Sequence, residues 1–360
     1  MRECYALDDP RLLLENFLAA GWRVIAPVLS EGALVPDVVQ DADDLPRGIL
    51  DSQAPGHYRL EEGATRRWFD AVVGPRGWKH WLHPPERRLW RALRNEDGFE
   101  IRPEVEDWPP TIFFGVRACD LAAIARQAEV FRRAADPAHA TRVSATRIVA
   151  VNCGRSARTC FCVSTATGPR AEDGFDLALT ETDEGMLVEV GTDAGASLLE
   201  GLGLRRASDH MRARARARIA EAAASQTRAL PKDVAKRLPE AAESPRWEAI
   251  AKRCLHCTNC TAVCPTCFCT DIVDRTDLSD QRAERWERWD SCFTPGFSEV
   301  HGGPVRSSGA ARYRQWMTHK LSGWHQQFGT SGCTGCGRCI TWCPAGIDLV
   351  AEARALTEGD

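Results

Sequence analysis

Cys254-Leu-His-Cys257-Thr-Asn-Cys260-Thr-Ala-Val-Cys264-Pro265 and Cys333-Thr-Gly-Cys336-Gly-Arg-Cys339-Ile-Thr-Trp-Cys343-Pro344 are the stretches that decide the architecture. Both read C-x2-C-x2-C-x3-C-P, a spacing that holds [4Fe–4S] cubanes; in paired runs the fourth Cys of each serves the other cluster. The expectation is one cluster on Cys254, Cys257, Cys260 and Cys343, and a second on Cys333, Cys336, Cys339 and Cys264. Pro265 and Pro344 cannot continue a backbone hydrogen-bond ladder, so each helps turn its fourth Cys inward. Zinc is the competing reading. Its sites usually show two well-separated C-x2-C pairs rather than four cysteines ending in Cys-Pro.

With 360 residues the chain is longer than two such runs need and suggests about two domains. Sixteen cysteines would fit a secreted disulfide protein, but their spacing and the start Met1-Arg-Glu-Cys-Tyr, with no apolar segment, point to a reducing cytoplasm. No apolar run approaches the ~20 residues of a membrane span. A net charge of −4 argues against bulk nucleic-acid binding.

Along the chain, Asp9-Pro10 starts a helix whose broad apolar face is Leu12, Leu13, Leu14, Phe17 and Leu18, which Gly21 ends, and a strand follows at Trp22–Val28. Residues 30–80 read as loops with small strands, and Pro84–Leu93 as a second helix ending in the turn Asn95–Gly98. Thr111–Val116 and Thr146–Val151 are apolar strands on either side of a helix over Leu121–Arg132, which predicts a parallel βαβ unit. Asp176–Thr180 and Met186–Val190 form a hairpin added to it. The predicted fold is an α/β or α+β N-terminal domain over 1–205, then a helical connector over 206–245, then a mainly helical ferredoxin-like dicluster domain over 246–360 with a long insert at 270–330. In the connector, alternating Arg residues from Arg212 to Arg218 suggest a solvated helix. The insert is rich in Trp and Arg, including Trp286, Trp289, Arg312 and Trp316. Its simplest role is to cover the clusters and exclude water, with its cations free to balance cluster charge.

Cys119 and Cys153 follow neighbouring parallel strands, at the sheet edge where α/β folds place ligands. Cys119 also begins a helix, where the dipole favours thiolate. Cys160-Phe-Cys162 puts two thiols on one side of an extended chain. This reading favours a third [4Fe–4S] cluster on Cys119, Cys153, Cys160 and Cys162 over a structural zinc or ordinary buried thiols. Cys267, Cys269 and Cys292 do not complete a cluster unless Asp290, a His or water supplies a fourth ligand; spare buried thiols are the simpler reading. Cys4 stands alone. No G-x-G-x-x-G after a strand, P-loop or H-E-x-x-H is present, so bond-making chemistry has no visible seat. His256 and His301 read as structural or surface histidines.

Phe114-Gly-Val-Arg-Ala-Cys-Asp120, Cys160-Phe-Cys-Val-Ser-Thr-Ala-Thr-Gly-Pro169, Cys264-Pro-Thr-Cys-Phe-Cys269, Trp289-Asp-Ser-Cys-Phe293, Arg312-Tyr-Arg-Gln-Trp316 and Gly332–Pro344 together resemble the β subunit of cytoplasmic NAD(P)-linked [NiFe] hydrogenases, also called the sulfhydrogenase β subunit. The anaerobic sulfite reductase A subunit is similar to it. The resemblance runs from about residue 110 to about residue 350; the family's Pro before the first of these cysteines is Ala118 here. It implies a non-catalytic electron-transfer subunit between a flavin subunit that binds NAD(P)H and the small and large subunits of a [NiFe] hydrogenase. The alternative it carries is a cluster-bearing subunit of an anaerobic sulfite or polysulfide reductase.

Overall fold

In a computed structural model, which describes residues 2–279 and 281–358, the predicted βαβ unit lies at the centre of an eight-stranded mixed sheet. Its strand order is Arg205–Arg206, Cys4–Leu7, Gly185–Val190, Leu177–Thr182, Thr146–Val151, Thr111–Arg117, Arg23–Ser30 and Ala33–Val38. The four strands from Leu177–Thr182 to Arg23–Ser30 run parallel, and the outer pairings are antiparallel. Thr111–Arg117 is buried along its whole length, as expected of a parallel strand covered on both faces. Its side chains alternate between two cores. Ile112 and Phe114 meet Leu13, Leu14 and Phe17 of the first helix, while Phe113 and Val116 pack with Trp78 and Leu121 on the other face.

A third core belongs to the C-terminal half and contains Trp247, Ile250, Phe293, Tyr313, Trp316, Met317 and Ile340. Phe161, from the N-terminal half, is inserted fully buried into it. The N-terminal half is therefore mixed α/β, and the C-terminal half is built of helices and small sheets. Among the described residues no helix is long and apolar enough to cross a membrane.

Two expectations are corrected. Pro84–Leu93 is not helical: Glu86–Asn95 is a strand in a four-stranded antiparallel sheet ordered Thr270–Thr276, Arg282–Trp289, Glu86–Asn95, Gly98–Pro103. Its arginines, which look equally suited to a helix face, meet opposite charge on the insert: Arg87 with Glu287 at 2.6 Å and Arg88 with Glu284 at 3.0 Å. Of its two partner strands, Gly98–Pro103 follows directly in a hairpin, but the one that supplies these acidic residues, Arg282–Trp289, lies far along the chain, beyond the reach of local periodicity. The Trp and Arg content of the insert also has a local cause, since Arg285 stacks on Trp90 and Arg275 on Trp286 across the strands. The connector helix, Asp209–Ala224, is not simply solvated. Met211, Ala215, Ile219 and Ala222 form a buried stripe, with Met211 and Ala215 packed beside Leu187 of the sheet.

One buried ion pair joins the two halves. Arg338, inside the second cysteine run, donates to both carboxylate oxygens of Asp120, at 2.6 and 2.9 Å, and their side chains are 6% and 1% exposed. Breaking such a pair strands a buried charge. Arg338→Ala is expected to destabilise the protein by about 3–5 kcal/mol in chemical denaturation, and Arg338→Met combined with Asp120→Leu to cost less.

Candidate metal centres

The two cysteine runs fold into the same loop. In the first, His256 and Thr258 adopt left-handed conformations (φ 50° and 64°); in the second, the corresponding Gly335 and Gly337 do (φ 63° and 76°). The residue after the second Cys of each run thus turns into a short helix, Asn259–Ala262 or Arg338–Thr341, which hands on to the fourth Cys. Each loop also directs an equivalent amide at its first sulfur: His256 N–H to Cys254 Sγ at 3.4 Å, and Gly335 N–H to Cys333 Sγ at 3.5 Å.

Cys254, Cys257, Cys260 and Cys343 line one cleft together with Phe293, Tyr313 and Trp316. These aromatic residues come from the insert, as the water-excluding role expected for it requires. Cys339, of the second run, reaches the same cleft. Burial pushes the Cys260 thiol well up, and the neighbouring thiols of Cys254, Cys343 and Cys257 add to the shift.

The second set gathers deeper. Cys333, Cys336 and Cys264 all act on Cys339, whose thiol is pushed well up, first by burial. Lys320 lies among them. Its Nζ donates to Cys264 Sγ at 3.1 Å, Thr266 Oγ1 at 3.2 Å and the Gly332 carbonyl at 3.3 Å. It emerges from a π-helical turn, His319–Gly323, set between two α-helices. Such a wide turn re-aims a side chain off the regular helical face.

The third set is also brought together. Cys119 and Cys153 sit at the carboxyl ends of adjacent parallel strands. Cys162 and Cys153 act on the Cys160 thiol, and Cys162 and Cys336 on that of Cys119. Gln226 donates to Cys162 Sγ at 3.1 Å, and Arg117 approaches Cys153 Sγ at 3.7 Å. The helix-start position of Cys119 does not lower its thiol: burial, then Asp120, push it well up. Cys4 lies away from all three sets, buried beside Leu187 and Met211.

These surroundings suit thiolate-bound iron. All donors in each set are sulfur; burial pushes up the thiols of Cys119, Cys160, Cys260, Cys336 and Cys339, while the hydrogen bond with Cys267 and the Lys320 ammonium draw that of Cys264 well down, and a cationic centre is what would let four neighbouring thiolates coexist. Sequence reading passed over Lys320, Gln226 and the Arg338–Asp120 pair. Only Arg338 and Asp120 stood inside quoted motifs, with nothing to show that they pair.

Residues 253–347 match the family model described as a 4Fe-4S dicluster domain, so two [4Fe–4S] clusters belong to this half of the chain. The sulfhydrogenase 2 subunit β of Pyrococcus furiosus is 32% identical over 283 residues, an alignment covering 76% of this chain and 81% of that one.

The paired loops differ in what they tolerate. A Cβ on Gly335 would stand 2.6 Å from the backbone of Cys162, and one on Gly337 would overlap the Thr159 carbonyl oxygen. Gly335→Ala is expected to lower iron content by about four per chain and to depress the melting temperature. Thr258→Gly is expected to be near neutral in both, because relief of about 1–2 kcal/mol of left-handed strain is offset by the roughly 0.5–1 kcal/mol entropic cost of Gly.

Proposed function

The chain belongs to the sulfhydrogenase β-subunit family, and from that membership we propose that it is the electron-relay subunit of a cytoplasmic complex. It would link a flavin subunit that binds NAD(P)H to the small and large subunits of a [NiFe] hydrogenase. Cys254, Cys257, Cys260 and Cys343 would hold one cluster; Cys333, Cys336, Cys339 and Cys264 a second; and Cys119, Cys153, Cys160 and Cys162 a third. Each cubane, when bound, takes up and gives back one electron. The α/β unit of residues 1–205 houses the third set, residues 206–245 connect, and residues 246–360 form the dicluster domain.

The observation that carries this reading is the contiguity of the three thiol sets. Cys119 neighbours Cys336 of the second set, and Cys339 of the second set reaches the cleft of the first. Hydrogen bonds join the loops of the third and second sets: Phe161 N–H donates to the Gly335 carbonyl at 2.8 Å, and Thr167 Oγ1 to the Thr334 carbonyl at 2.7 Å. The first set opens to the surface, with Cys257 exposed and Leu255 65% exposed beside it, whereas Phe161 seals the junction at the other end. Among the described residues, no group of three or more His, Cys, Asp or Glu side chains is spaced for a single ion. A cubane gives each thiolate its own iron and so spans thiols that one zinc, at about 2.3 Å from every sulfur, would have to draw together.

Anaerobic purification from the native host is expected to bring down a flavoprotein and hydrogenase subunits; a sirohaem protein in their place would overturn the hydrogenase assignment. Cys119→Ser is expected to remove about four irons per chain and one EPR signal while the dicluster signals persist. An unchanged spectrum would show that the third set holds no cluster. Lys320→Met, which removes the ammonium on Cys264, is expected to move one cluster's midpoint potential to more negative values in a redox titration.

A further inference from the structure

Two buried ammonium groups have no carboxylate partner among the described residues. Lys320 is explained by Cys264. Lys79, 5% exposed, is acted on first by Cys267, then by Cys264 of the second set and by Cys269. Its Nζ reaches the Thr261 carbonyl at 3.4 Å and lies 3.6 Å above the Trp289 ring, neither of which supplies a negative charge. A buried cation without one is costly, so an anion belongs beside it. What lies beside it is a cleft lined by Lys79, Cys267, Cys269, Asp290, Trp289 and Ser291.

The topology explains why those groups meet. Thr270–Thr276 and Arg282–Trp289 form an antiparallel hairpin in which Thr270 pairs with Trp289. Cys267 and Cys269 lie on the arm entering its open end, and Asp290 and Cys292 on the arm leaving it. The Asp290 N–H donates to the Cys269 carbonyl at 2.9 Å, and Gln127 Nε2 holds the Cys267 carbonyl at 3.3 Å. Cys292 neighbours Cys269.

We propose that Cys267, Cys269, Cys292 and Asp290 bind a further [4Fe–4S] cluster at the open end of this hairpin, with Lys79 as its buried counter-charge. Three thiolates and one carboxylate complete a four-point donor set. Spare thiols, which behave as small hydrophobes, would have no use for a cleft carrying an ammonium and a carboxylate. The donors are not spaced for a single ion, which favours a cluster over zinc. The site also has a defined place. Cys267 contacts Cys264 of the second set, and Cys292 neighbours Cys260 of the first, so it adjoins both ferredoxin-type sets. The inference needs the dicluster domain but not the cluster proposed on Cys119, Cys153, Cys160 and Cys162.

The test compares full-length protein, purified and reconstituted anaerobically, with Cys269→Ser and Asp290→Cys. Cys269→Ser is expected to lose about four irons and as many acid-labile sulfides per chain, with the dicluster EPR signals retained. Because the readout is a difference from wild type, it stands whether or not the Cys119 set is loaded, and Cys119→Ser measured in parallel reports that set separately. Asp290→Cys keeps every donor position filled. It is expected to retain full iron and to change the spectrum of one centre, and it decides the matter if Cys269→Ser does not fold. Wild-type iron in Cys269→Ser, an Asp290→Cys spectrum identical to wild type, or loss of one zinc instead of iron would overturn the proposal.

Discussion

The structure depends on a close approach of two backbones. The loop carrying Cys333, Cys336 and Cys339 rests directly on the Thr159–Cys162 loop of the α/β half, and glycine at 335 and 337 leaves the room for it. Arg338 then crosses the seam to Asp120 at the start of the helix that carries Cys119. Both charges are buried, and together they fix the register of one half against the other. An ion pair of this kind contributes little net stability, but it penalises any arrangement that separates its members. Contact between the third thiol set and the second is thus a consequence of how the halves are joined.

The same seam sets an electrostatic contrast between the thiol sets. Around Cys264, Cys333 and Cys336 lie Lys320, Arg338 and Arg126, all acting on these thiols. The cleft of Cys254 is instead walled by Phe293, Tyr313, Trp316, Ile347 and Leu349. Cations and hydrogen bonds to sulfur favour the more negative, reduced form of a cluster, whereas an apolar wall disfavours it. Two runs of identical cysteine spacing therefore meet different surroundings, and the contrast comes from Arg338 inside the second run together with residues outside both.

What was legible in the sequence follows from the range of the interactions concerned. The strand–helix–strand unit around Cys119 declared itself through periodicity and caps, and the two cysteine runs through spacing, because both are local patterns. Residues 86–95 gave no such sign. A segment with Arg87, Arg88, Leu89 and Trp90 is compatible with a helix until the acidic partners Glu284 and Glu287 are placed beside it. The connector's buried stripe was hidden for a related reason: Ala215 and Ala222 are small enough to read as neutral between arginines. Lys79 and Lys320 could not have been singled out at all, since a lysine's burial is a property of the assembled core.

The insert between the runs is better understood as machinery for the centres than as a spacer. A compact pair of cysteine loops leaves both clusters near solvent, where water screens every charge that might tune them. Here the insert lays Phe293, Tyr313 and Trp316 beneath the first set and threads Lys320 to the second through a π-helical turn. A regular helix from Gly309 onward would carry the residue at 320 to a different azimuth, because the π turn adds an extra residue to the repeat. The local distortion is the means by which one ammonium is aimed at one sulfur, and that specificity is what makes the two similar loops chemically distinct.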